Sequence, residues 1–138
     1  MASVLIVADN DPMRKYLKEM LQVHHPGLLV EAAASETEAL QKLATDSPNI
    51  VFMNLEFHDE SGLELTRKIK ARHPFKTIIV MSSLDGVEYR KAAFASGADH
   101  FVVKDSLSGA DIAILIKMTL AGSYPLFDMI SIGYPASV

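Results

Sequence analysis

Cysteine is absent from this 138-residue chain, which excludes disulfides and thiolate metal sites and suits a reducing compartment. No apolar run approaches the roughly 20 residues that a membrane-spanning helix needs. The N-terminus lacks a basic region, and its apolar run meets Asp9 almost at once. No signal peptide is therefore expected, and the default location is cytoplasmic, with no membrane partner. Basic excess is also missing: the net charge is −4, which weighs against nucleic-acid binding. Arg67, Lys68, Lys70 and Arg72 form a short basic run, but no aromatic residues interleave it, so it reads as a solvated helix face. Internal repeats, linkers and low-complexity segments are lacking too.

What is present is a well-filled chain, 49% hydrophobic and 22% charged, of a size for one globular domain with a sizeable core. Val4-Leu5-Ile6-Val7 predicts a short buried strand ending at Ala8-Asp9-Asn10. Asp11 followed by Pro12 predicts a helix start, with Asp11 as the cap and proline at the first helical position. Met13, Tyr16, Leu17, Met20 and Leu21 recur at helical spacing and predict its buried face. Pro26-Gly27 ends it, and Leu28 to Ala33 reads as a second strand. Ser35 with Glu38 predicts a capping box, opening a helix with Ala39, Leu40, Leu43 and Ala44 inside.

The most informative stretch runs from Pro48 to Gly62. Its apolar run, Ile50 to Met53, has no polar alternation, as in a parallel strand buried on both faces. It stops at Asn54, and an acidic loop leads to Gly62. A helix from Gly62 to His73 follows, stopping before Pro74. Thr77 to Met81 predicts a fourth strand closing on Ser82-Ser83. A helix from about Val87 to Ser96 ends at Gly97, a residue suited to a left-handed cap. Phe101-Val102-Val103 is the fifth strand, and Ser108 with Asp111 starts a last helix that buries Ile112, Leu115 and Ile116, with Leu120 at its margin.

Strict alternation of short buried strands with helices predicts an α/β fold: a five-stranded parallel sheet in the flavodoxin-like order 2-1-3-4-5, with helices on both faces. Ligand crevices in such sheets lie beyond the carboxyl ends of the strands. That edge would gather Asp9, Asn10, Asn54, Ser82 and Lys104.

These residues in this order resemble the receiver domain of bacterial two-component response regulators. The carrying motifs are Val7-Ala8-Asp9-Asn10-Asp11-Pro12, Phe52-Met53-Asn54 with Ser61-Gly62, Val80-Met81-Ser82-Ser83, and Gly97 to Asp105. The likeness extends from Ser3 to about Gly122, so residues 1–122 are expected to form the receiver-like domain and 123–138 an apolar tail with no separate output domain. The resemblance implies a phosphoryl group taken from a histidine kinase onto an aspartate at Asn54's position. It also implies Mg²⁺ held by that aspartate and an acidic pair, here Asp9 and Asn10. Ser82 and Lys104 match the groups that contact the phosphoryl, and Phe101 matches an aromatic switch. Lys104-Asp105 replaces the family's common lysine-proline, and His58 stands where many members have proline.

Asn54 changes what this site can do. An amide oxygen carries no localised charge and cannot form an acyl-phosphate. Asp9 with two amides is a poor site for a hard dication, so no cofactor is expected, and Mg²⁺ at most weakly. With carboxylate repulsion relieved, Lys104 is expected to face Asp9 in a quiet hydrogen-bonded cluster. Glu56, Asp59, Glu60 and Asp85 read as solvated loop acids. His58, His73 and His100 read as isolated surface histidines, His24-His25 as a frayed helix end, and the seven methionines as core.

The leading expectation is a receiver-like module, not an enzyme, that works through protein–protein interaction. Its partner would be a histidine kinase or a downstream signalling protein, or a second copy in a homodimer. The expected surface is the fourth helix, fifth strand and fifth helix around Tyr89, Lys91, Phe101 and the tail, where Leu126, Phe127, Ile130, Ile132 and Tyr134 are too apolar for free solvation. One alternative is an ordinary phospho-accepting receiver with an inactivating Asp-to-Asn change. Asn10 favours natural degeneration over that, because a single change blocks the chemistry. The other is a flavodoxin-like module for a small anion or nucleotide, disfavoured because no glycine-rich phosphate loop follows the first strand.

Overall fold

In the computed structural model of the chain, the described residues are 2–57, 62–104 and 108–121. Elements alternate as expected: β1 (Ser3–Val7), α1 (Asp11–His24), β2 (Leu29–Ala33), α2 (Glu36–Asp46), β3 (Ile50–Asn54), α3 (Gly62–Arg72), β4 (Thr77–Ser82), α4 (Val87–Ala95), β5 (His100–Val103) and α5 (Gly109–Leu120). All pairings are parallel, and the strand order is β2-β1-β3-β4-β5.

Side chains alternate across each strand, so every strand feeds two cores. Val4, Ile6, Ile50, Phe52, Ile79, Met81 and Val102 pack with α1 and α5 on one face. Leu5, Val7, Val51, Met53, Ile78, Val80, Phe101 and Val103 pack with α2, α3 and α4 on the other. This double burial explains why β1, β3 and β5 are buried at every position. β2 lies at the sheet edge, and its first residue, Leu29, is exposed.

Local rules worked unevenly. The cap of α1 is Asn10, whose side chain accepts from the Met13 amide, so Asp11 and Pro12 become the first two helical residues. Asn10 wins because its extended backbone (ψ 112°) and three-residue reach suit a cap. Tyr16 is exposed, against expectation. It sits at the margin of the α1 stripe beside Gly109, and its hydroxyl tolerates water. Ala44 is exposed as well, one position beyond the buried Leu43. In α2, Ser35 caps Glu38, but the Glu38 carboxylate accepts from the Ala34 amide rather than from Ser35. The reciprocal box forms in full at Ser108 and Asp111. Gly97 takes the left-handed conformation at φ 108°. β5 begins one residue early, so His100 is buried within a strand and is no surface histidine. The expected tail, like His58, Asp59, Glu60 and Asp105, lies outside the described residues.

Gly62 is sterically required. A Cβ there would lie 2.3 Å from the Asn54 carbonyl oxygen, where α3 begins against the end of β3. We expect Gly62→Ala to cost about 1–3 kcal/mol, read by urea unfolding; unchanged stability would contradict this packing.

Candidate functional site at the carboxyl edge of the sheet

The parallel order brings the ends of β1, β3, β4 and β5 to one edge. Asn54 is the last residue of β3 and is 7% exposed. Ser82, the last residue of β4, is fully buried. Lys104 follows β5 directly; its amide donates to the Ser82 carbonyl at 2.7 Å, and its side chain is exposed. Asp9 and Asn10 follow β1, and both are exposed. All five residues named from the sequence therefore share the edge, at different depths.

The hydrogen bonding differs from the expected cluster. Lys104 makes no ion pair with Asp9 among the described residues. The bonded cluster is built instead on Glu56, the loop acid read as merely solvated. Ser82 Oγ donates to Glu56 Oε2 at 3.0 Å, and Ser83 donates to Oε1 from both its amide (2.8 Å) and its hydroxyl (2.7 Å). Ser82 Oγ in turn accepts from the Leu84 amide at 2.9 Å. The β3–β4 register explains this. Asn54 pairs with Met81, so continuing both chains by two residues sets Glu56 opposite Ser83. The signal was available only once the two strands were known to be neighbours in that register.

Arg14 is a second residue that the sequence reading missed. Its guanidinium donates to the Ala8 carbonyl beyond β1 and pairs with Asp11. The three-residue spacing of Asp11 and Arg14 on a helix was its one visible sign. Asn10 is committed elsewhere too, since its Oδ1 caps α1. Among the described residues no group of three or more His, Asp or Glu side chains is placed to hold a metal ion.

Phe101 pairs with Val80, and its ring is fully buried in the core under α4. It cannot itself form part of an external surface, contrary to expectation. Tyr89 is partly buried against the same core. The basic run on α3 is largely neutralised: Arg67 pairs with Glu64, Lys68 with Glu36 and Lys70 with Asp99.

The response regulator receiver domain family matches residues 4–116. This chain belongs to that family. It is 35% identical over 104 residues to a protein-glutamate methylesterase/protein-glutamine glutaminase of Geobacillus kaustophilus, covering 75% of this chain and 30% of that protein. A two-component response regulator of the LuxR family from Aurantimonas superposes with a TM-score of 0.80 at 29% identity, covering 89% of this chain and 87% of that one. A CheY-like receiver domain protein from Methanospirillum hungatei gives 0.79 at 25% identity, covering 88% and 95%. The receiver domain thus spans about a third of the methylesterase relative. No described helix is long and apolar enough to cross a membrane.

Asn10 is testable as a cap. Asn10→Ala should lower stability by about 1 kcal/mol, while Asn10→Ser, an uncharged residue that is also a good cap, should not. Urea unfolding of both variants decides; equal loss in the two would remove the capping role.

Proposed function

We propose that this receiver domain signals by docking protein partners, with no phosphoryl transfer to the end of β3 and no catalysis of its own. The observation that carries the reading is the residue at that end: Asn54, a buried neutral amide. A phosphoryl acceptor needs a localised anionic oxygen, and an amide cannot supply one. In this reading Ser82 and Lys104 are the equivalents of the phosphoryl-contacting groups and Phe101 of the aromatic switch.

Mg²⁺ fits poorly. It favours anionic oxygens, and of the family's metal positions only Asp9 is a carboxylate, while Asn10 serves α1. At most weak binding is expected, at Asp9. The partner is a histidine kinase, a downstream signalling protein or a second copy, received on the α4–β5–α5 side. Exposed Val87 and Phe94 on α4 and Ile114 on α5 supply apolar contact there, with Lys91 beside them. Nucleic acid is not the partner in this reading, since Arg67, Lys68 and Lys70 on α3 are each paired with a carboxylate.

A second reading, an ordinary receiver with its acceptor changed, is favoured by one observation. Lys104 keeps an exposed ammonium at the edge, as a phosphoryl-binding lysine would. One experiment separates the two. After incubation with acetyl phosphate and Mg²⁺, intact-mass analysis should find the chain unmodified, and Asn54→Asp should not gain a phosphoryl group because Asn10 still weakens the metal site. A phosphorylated Asn54→Asp supports the second reading, and an adduct on the unaltered chain refutes the first.

A further inference from the structure

Three donors converge beyond β4: the Ser82 hydroxyl, the Ser83 amide and the Ser83 hydroxyl. All of them bind one carboxylate, Glu56, at 2.7–3.0 Å. Such a set is a cradle for an oxyanion, since charge-assisted bonds to an anionic oxygen are the strong ones. Ser82 is fully buried, so its hydroxyl needs a partner inside the fold. The chain supplies that partner itself.

We propose that Glu56 is a tethered anion that fills this cradle and latches the β3 exit to the β4–α4 junction. The proposal rests on the reading that Asn54 receives no phosphoryl group, and it names what holds the same edge in place instead. The Leu55 amide bonds to the Met81 carbonyl at 2.8 Å, continuing the backbone ladder one residue beyond β3. Glu56 extends it with side-chain bonds to Ser82 and Ser83. The Leu84 amide, bound to Ser82 Oγ at 2.9 Å, carries the constraint toward Val87, the exposed first residue of α4.

A tether also decides competition with free anions. A carboxylate two residues from a fixed strand end acts at an effective concentration on the order of millimolar or higher. A weakly held external anion at lower concentration does not displace it. The latch therefore closes the cradle and fixes the start of α4 together, giving partners one constant arrangement of that surface.

The test uses the full chain with Glu56→Ala and Glu56→Gln, the second keeping side-chain size while removing charge and so guarding against misfolding of the first. Amide exchange and inorganic phosphate titration are followed by NMR. The Ser83 amide should exchange about tenfold faster in Glu56→Ala, and phosphate should bind at Ser82 to Leu84 about tenfold more tightly than in the unaltered chain. Glu56→Gln should move both readings in the same direction by less. Unchanged Ser83 exchange in both variants overturns the proposal, and so does phosphate affinity equal to that of the unaltered chain. The acetyl phosphate experiment reads phosphorylation separately, so an adduct there is distinguishable from a failed latch.

Discussion

The parallel register of β3 on β4 fixes the functional edge. Pairing Asn54 with Met81 places Ser82 at the crevice and brings Glu56 level with Ser83. A shift of one residue would turn Asn54 and Ser82 to the opposite faces of their strands. Register is held by burial: Val51, Met53, Ile78 and Val80 all face the α2–α3–α4 core. Gly62, with no room for a Cβ over the Asn54 carbonyl, lets α3 start directly against this end. Packing deep in the sheet therefore sets the geometry of a few polar atoms at its rim.

At that rim, negative charge sits beyond the buried strand end and not at it. In the proposed reading the family's acceptor position holds an amide, Asn54, and the second residue of its acidic pair, Asn10, caps α1. A carboxylate, Glu56, lies two residues beyond the strand end and is engaged by serine donors. Separation of negative charge matters because carboxylates crowded at one sheet edge repel each other when no cation is bound. Glu56 lies outward and exposed, whereas a carboxylate at Asn54 would be buried.

Much of the fold could be read from the chain because its signals were local or periodic. Unbroken runs such as Ile50 to Met53 marked strands covered on both sides, and Gly97 and Ser108 marked helix ends. Asn10 displaced Asp11 as the cap because two adjacent residues with equal propensity differ only in backbone conformation. The depth of His100 depended on where β5 began, by one residue. The residues converging at the edge were legible once the strand order was inferred, but their bonding was not. Glu56 looks like any loop acid until β4 is known to run beside it.

The most direct measurement is the melting temperature of Asn54→Asp in metal-free buffer. A new carboxylate would be buried at the end of β3, near Glu56 and Asp9, with desolvation and like-charge repulsion both opposing it. The account predicts a lower melting temperature than that of the unaltered chain. An equal or higher value would contradict the claim that the neutral amide is what lets this edge stay closed without a metal ion.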